Sequence, residues 1–148
     1  MSKFLNCLQQ GNKYELLLLK YVKYLEYELS PAKCKEYDII IDNVKYEVKS
    51  EKNAYKYNNF AIEYFYNNKP SGIDATSAKY WVHYNVKPDS NDCYIIPVED
   101  LKDMIEKKMY NRNIINGGDG NKASFYLFKV DLFKKYLSEL LPEFRIFH

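Results

Sequence analysis

Residues 37–50, with the sequence YDIIIDNVKYEVKS, constrain the fold more than any other stretch of this chain. Two runs rich in β-branched and aromatic residues flank Asp42 and Asn43. Both of these residue types tolerate the left-handed backbone conformation that a two-residue hairpin loop requires. The sequence therefore predicts a β-hairpin whose turn pairs Ile41 with Val44 and so fixes the register of both strands.

This register divides the hairpin into two faces, because side chains alternate along a strand. The face expected to join the core is apolar: Ile39, Ile41, Val44, Tyr46 and Val48. The other face carries Asp38 directly opposite Glu47, with Lys49 two residues further on. Facing carboxylates, with Cβ atoms about 5 Å apart, destabilise a sheet unless a cation or a proton lies between them. Lys49 can supply part of this compensation, and a divalent metal ion can supply more.

Hydrophobic periodicity and turn residues predict the remaining elements. Helices are expected at residues 13–29, 97–110 and 131–141, and strands at residues 59–66, 79–84, 93–96 and 125–130. The first helix is expected to bury a stripe of four apolar side chains: Leu18, Val22, Leu25 and Leu29. Residues 111–122, rich in glycine and asparagine, are expected to be irregular. This order predicts an α/β (mixed α+β) fold, with a central mixed β-sheet flanked by helices, in a single domain over residues 1–148.

The hairpin resembles the signature of the PD-(D/E)XK nuclease superfamily. Its features are an acid at the end of a short strand, a tight turn and then Glu-x-Lys on the next strand, which places Asp38, Glu47 and Lys49 at the motif positions. The segments NFAIEY, KPSGI and AKYWV, together with Thr76, are similar to a pattern of small stand-alone phage and viral members. The resemblance covers about residues 11–84, with a fainter similarity at residues 117–131, and implies a restriction-endonuclease-like core.

The resemblance also implies a chemistry, the hydrolysis of DNA with Mg²⁺ or Mn²⁺ as the cofactor. Asp38, Glu47 and the main-chain carbonyl of Val48 would bind the metal ion. Lys49 would orient the attacking water or help to deprotonate it. Many members carry a further acid on the first helix, and Glu15 is the residue best placed for that role. The alternative for Glu15 is a solvated acid that favours the helix dipole.

Glu63 and a group of basic residues have more open roles. Glu63 lies on the strand predicted at residues 59–66, which is expected to join the sheet of the hairpin. It is either a paired edge residue or a member of the cluster formed by Asp38 and Glu47. His83 is expected to be structural rather than catalytic. The residues proposed to contact nucleic acid surround the motif in the sequence: Lys45, Lys52, Lys56, Lys69, Ser71 and Lys79. For each of the lysines, the alternative is an ordinary surface residue without a role in binding.

The amino-acid composition of the chain limits the partners that the protein can bind. The 22 basic residues nearly balance the 20 acidic ones, so long-range attraction to nucleic acid is weak and any contact with DNA must be local. The three cysteines are widely spaced and have no Cys-x-x-Cys motif, which favours free thiols in a reducing compartment. A zinc site would need more ligands than these cysteines and the two histidines offer. We expect an intracellular protein without a signal peptide or membrane span. DNA is the expected partner, and a homodimer is left open.

The leading hypothesis is therefore a metal-dependent DNA endonuclease. One alternative is a catalytically inactive module of the same fold that binds nucleic acid or a partner protein. A further alternative is a structural protein in which Asp38, Glu47 and Lys49 form a surface ion network without a metal ion.

Overall fold

The computed structural model describes residues 12–31 and 37–145, apart from the side chains of residues 119 and 145. Its α-helices are α1 (Lys13–Leu17), α2 (Ala54–Tyr57), α3 (Val98–Glu106) and α4 (Pro142–Arg145). Short 3₁₀ helices lie at Leu18–Lys20, Gly72–Asp74, Asp119–Asn121 and Val130–Tyr136. Within these ranges, no helix is long and apolar enough to cross a membrane.

The strands form two sheets. They are β1 (Tyr27–Leu29), β2 (Ile39–Ile41), β3 (Val44–Glu51), β4 (Asn59–Tyr66), β5 (Lys69–Pro70), β6 (Tyr80–Val86), β7 (Asn91–Pro97), β8 (Arg112–Gly117), β9 (Ala123–Lys129) and β10 (Leu137–Ser138). The first sheet has the order β1-β2-β3-β6-β7-β10 and is mixed, because β3 and β6 run parallel while the other neighbours are antiparallel. The second, antiparallel sheet has the order β5-β4-β9-β8. The expected α+β class with a central mixed sheet is confirmed.

The hairpin of β2 and β3 has the predicted turn and register. Asp42 and Asn43 have φ angles of 48° and 66°, and Ile41 pairs with Val44 and Ile39 with Tyr46. The apolar face of the hairpin is largely buried. It packs against residues of α1 and the following 3₁₀ turn, and against Val82, Tyr84 and Cys93 of β6 and β7.

A second core fills the space between the two sheets and α3. Its large members include Phe60 and Ile62 of β4, Trp81 of β6, Leu101 of α3 and Phe128 of β9. The first sheet is therefore covered on both faces. The polar face of β3 lies at the margin of this second core, which explains why the acidic side chains of that face are not fully hydrated.

The helix predicted at residues 13–29 is too long. Regular helix ends at Lys20, and the chain then turns to form β1, which pairs with β2. The carboxylate of Asp42 accepts hydrogen bonds from the main-chain N–H groups of Leu25 (3.0 Å) and Glu26 (2.9 Å). These bonds hold the turn before β1, and they leave Leu25 95% exposed instead of buried.

Two predictions near the C-terminus are also wrong. Residues 112–117 form the edge strand β8, which pairs with β9, in the segment expected to be irregular. Residues 131–141 form a 3₁₀ helix followed by β10, which pairs with β7, where an α-helix was expected. Pro142 begins α4 and does not end the preceding helix. β8 forms a hairpin with the next strand, β9, and β10 pairs with the distant strand β7, so in both segments strand pairing outweighs a weak local preference.

Candidate active site

Asp38 directly precedes β2 and lies alongside β3. Regular pairing stops at Ile39, one residue before the predicted pair of Asp38 and Glu47. Oδ2 of Asp38 instead accepts a hydrogen bond from the N–H of Val48 at 2.7 Å, and the N–H of Asp38 donates to the carbonyl of Tyr46 at 2.9 Å. Asp38 therefore lies beside Glu47, as the motif requires, but a side-chain hydrogen bond holds it there.

Glu47 is 6% exposed, and both of its oxygens have partners. The hydroxyl of Thr76 donates to Oε1 at 3.1 Å, and Nζ of Lys49 lies 3.2 Å from Oε2. Burial raises the pKa of Glu47 to about 7; the charge of Lys49 opposes this shift, and the Asp38 carboxyl adds to it. The pKa of Glu47 therefore lies near neutrality, as is common for acids in functional sites.

Glu15 of α1 belongs to the same cluster. Burial raises its pKa to about 7; a backbone hydrogen bond lowers it, and the neighbouring charge of Asp38 adds to the rise. Its Oε2 atom is inaccessible to solvent, and no hydrogen-bond partner for it lies among the described residues. A solvated acid at a helix end would have neither property, so the structure favours membership of the acidic cluster for Glu15 over the solvated acid.

The carbonyl of Val48 lies on the same side of β3 as Asp38. Because the N–H and C=O groups of a strand residue point to the same side, and the N–H of Val48 points to Asp38, its carbonyl lies on that side too. β2 begins at Ile39, and its first pair is Ile39 with Tyr46, so regular pairing with β2 does not extend to Val48.

Lys49 lies between the acids with 42% of its side chain exposed. Its Nζ is 5.8 Å from the centre of the Trp81 ring. Burial lowers the pKa of Lys49, but the charges of Glu47, Asp38 and, more weakly, Glu63 outweigh it and raise the pKa above its ordinary value. Lys49 is therefore a cation at neutral pH, which suits a group that orients water and offsets negative charge better than one that removes a proton.

Glu63 reaches the site from the second sheet, so the expectation that its strand joins the hairpin sheet is wrong. Its side chain nevertheless lines the same cavity as Lys49. The hydroxyl of Ser71 donates to Oε2 of Glu63 at 2.9 Å, so Ser71 has a partner within the protein. Gly72 follows with φ of 49°, and a Cβ atom there would lie 2.1 Å from the main-chain oxygen of Glu63.

A buried hydrogen-bond chain joins the two sheets next to this site. Nε1–H of Trp81 donates to Nδ1 of His83 at 3.0 Å, and Nε2 of His83 lies 2.6 Å from Oε1 of Glu51. Because tryptophan can only donate, Nδ1 is unprotonated and Nε2 carries the proton. The same Glu51 oxygen accepts from the N–H of Ala61 at 2.7 Å. This network agrees with a structural role for His83. No local pattern in the sequence signals the network, or the contact of Thr76 with Glu47.

The residues proposed to contact nucleic acid have different surroundings. Lys52, Lys56 and Lys69 are exposed. Lys45 is half-buried, with Nζ 5.1 Å from the centre of the Tyr37 ring. Lys79 is exposed but borders a groove that is also lined by acids of α3: Glu99, Asp100, Asp103 and Glu106. These acids disfavour a phosphate at Lys79.

The cluster supplies the donors that a hard divalent cation takes, namely carboxylate and carbonyl oxygens. The buried, unpartnered Oε2 atom of Glu15 fits a ligand of this kind. No three histidine, cysteine, aspartate or glutamate side chains among residues 12–31 and 37–145 are already at metal-binding spacing. The oxygen donors of the cluster suit a divalent cation, but the acidic side chains would have to move closer together to bind one.

Comparisons of this chain with protein-family models, with curated proteins and with solved structures gave no match. The functional argument therefore depends on the side chains of this site.

Proposed function

We propose that this protein is a metal-dependent DNA endonuclease. The observation that carries the proposal is the convergence of three acids, Glu15, Asp38 and Glu47, on one lysine, Lys49. Three carboxyl groups at the margin of a core repel one another, and a single lysine compensates for only part of their charge. A divalent cation would provide the remaining compensation.

Asp38 and Glu47 would hold this ion, with Glu15 and the carbonyl of Val48 completing the set of oxygens. When bound, a divalent cation stabilises charge on the phosphate and lowers the pKa of the attacking water. The protein's own groups position these components. The N–H group of Val48 holds Asp38 in place. Thr76 and Lys49 each contact one oxygen of Glu47. The ammonium group of Lys49 would offset the charge that develops on the phosphate.

A specific observation supports the second candidate, an inactive module that binds nucleic acid. Both oxygens of Glu47 have protein partners, and the described acids are not at metal-binding spacing. In such a module Lys49 would neutralise Glu47 permanently. Cleavage activity distinguishes the two candidates.

A cleavage assay with duplex, single-stranded and branched DNA, in Mg²⁺ or Mn²⁺ and in chelator, tests the proposal. Lys49→Ala should reduce metal-dependent cleavage by at least about 100-fold, the lower end of the effect of losing a positioned proton-transfer or charge-stabilising group. Lys102→Ala, which removes an exposed lysine of α3, is the matched control and should cleave as the wild type does.

Urea unfolding of both variants establishes that they are folded. Cleavage by Lys49→Ala at the wild-type rate would refute the role of Lys49. Absence of cleavage by the wild-type protein on all three substrates, together with retained DNA binding, would favour the inactive module.

A further inference from the structure

Two cavities of similar size lie next to each other beside the second sheet. The first, which we call the Phe125 cavity, has a volume of about 330 Å³ and is lined by Lys49, Glu63, Trp81 and Phe125, among others. The second, the Tyr57 cavity, has a volume of about 370 Å³ and is lined by Asn53, Tyr57 and Leu127, among others. Glu51 lines both cavities and separates them.

The walls of the Phe125 cavity combine flat apolar surfaces with a hydrogen-bond acceptor. Phe125 is half-buried and supplies the aromatic surface, Trp81 is a buried part of the wall, and Glu63 supplies the carboxylate. A nucleobase has the matching properties, since it is planar and its amino group donates hydrogen bonds. Lys49 lines the same cavity and also contacts Glu47. A base in the Phe125 cavity would therefore be adjacent to a phosphate at the acidic cluster.

The Tyr57 cavity continues in the direction of β9. Phe125 and Leu127 are two residues apart on this strand, so their side chains share a face and are about 7 Å apart. Tyr57 is 72% exposed and presents its ring to solvent. Lys52 precedes the cavity-lining residue Asn53 and Lys56 precedes Tyr57 in the chain. Both lysines are exposed, so they can contact phosphates.

We propose that the substrate is DNA that is unpaired next to the cleaved bond, with one base in the Phe125 cavity and the adjacent base in the Tyr57 cavity. This inference rests on the proposed function, which places the cleaved phosphate at Lys49. Bases of an intact duplex are stacked and paired, so they cannot enter two separate cavities without being extruded. The cavities therefore select single strands or the unpaired strand of a branched junction.

Binding of short labelled oligonucleotides in the presence of chelator tests this inference without turnover. Phe125→Leu keeps an apolar side chain but removes the ring, and Tyr57→Ala removes the exposed ring. Each should weaken binding of a single strand by about 5- to 150-fold, the loss expected for one base–aromatic stack, and should change duplex binding by much less. Tyr24→Ala, which removes an exposed tyrosine near β1 of the other sheet, is the matched control and should bind normally.

Trp81 provides a second measurement, because it is the single tryptophan of the chain and lines the Phe125 cavity. Its fluorescence should be quenched when a single strand saturates the wild-type protein, and quenching should be reduced in Phe125→Leu. Unchanged single-strand affinity in both variants, or equal losses for single strands and duplex, would overturn the inference.

The failure of this inference can be distinguished from failure of the proposed function. A protein that binds single strands through both rings but does not cleave them in Mn²⁺ supports the two cavities and refutes the nuclease. A protein that cleaves duplex DNA equally well with and without the Phe125 and Tyr57 rings supports the nuclease and refutes the cavities.

Discussion

Substituting Glu15 by Gln tests whether the acidic cluster stores electrostatic repulsion in the absence of metal. The folded protein raises the pKa of Glu15 from 4.5 to about 7, mainly through burial. The fold therefore favours the protonated carboxyl. The contribution of Glu15 to the unfolding free energy should be highest below pH 4.5, should fall as the pH rises to about 7, and should be constant above that.

The magnitude follows from the size of the shift. A change from 4.5 to about 7 sets an upper limit of about 3.5 kcal/mol, at about 1.4 kcal/mol per pKa unit. Glu15 is only partly buried, and screening by solvent reduces this to about 1.5 kcal/mol. Because Gln is neutral at every pH and similar in shape to the protonated acid, Glu15→Gln should match the wild type at pH 4 and be about 1.5 kcal/mol more stable at pH 8.

Urea unfolding at pH 4, 6 and 8 in chelator measures this difference. Glu28→Gln, which removes an exposed acid of β1, is the matched control and should show no comparable change with pH. Mn²⁺ at a hundred times its dissociation constant should stabilise the wild type by about 2.7 kcal/mol through mass action, and Glu15→Gln should lose part of that gain.

A difference between Glu15→Gln and wild type that stays constant from pH 4 to pH 8 would refute the reasoning. Lower stability of the variant at pH 8 in chelator would show that the charged carboxylate has a stabilising partner, in which case Glu15 would be a structural residue.

Two further predictions concern the backbone around the site. Asp42→Gly removes the hydrogen bonds to the two N–H groups of the turn before β1 and adds no strain at the positive φ of this position, so it should lower the unfolding free energy by about 1–2 kcal/mol; an unchanged urea midpoint would show that this turn forms without them. Gly72→Ala should cost at least about 2 kcal/mol more than Gly120→Ala, because both glycines have positive φ but only Gly72 has a backbone oxygen in the space of the added methyl group. Equal urea midpoints for these two variants would contradict the close approach at Gly72.

Local sequence was sufficient to predict the β2–β3 hairpin, its turn and the face on which its side chains lie. The turn type depends on two adjacent residues, Asp42 and Asn43, and the alternation of side chains then assigns each neighbour to a face. For the same reason Asp38, Glu47 and Lys49 could be placed in one group from the sequence. The strand at residues 59–66 was predicted with the bounds that the structure has, because its apolar alternation is strong.

The other features depend on contacts between segments that are distant in the chain. The first helix ends early because Asp42 binds the N–H groups of Leu25 and Glu26, and β10 forms because it pairs with β7. The position of Glu63 opposite Lys49 requires a second sheet, which alternation along a single strand does not specify.

The sequence by itself thus determined which acids share the β2–β3 hairpin, and the tertiary structure decided how far each is removed from water. Glu15 and Glu47 have raised pKa values because packing of α1 and of the second core desolvates them. Desolvation depends on all the atoms around a group, including those from distant segments, so periodicity along the chain cannot predict it.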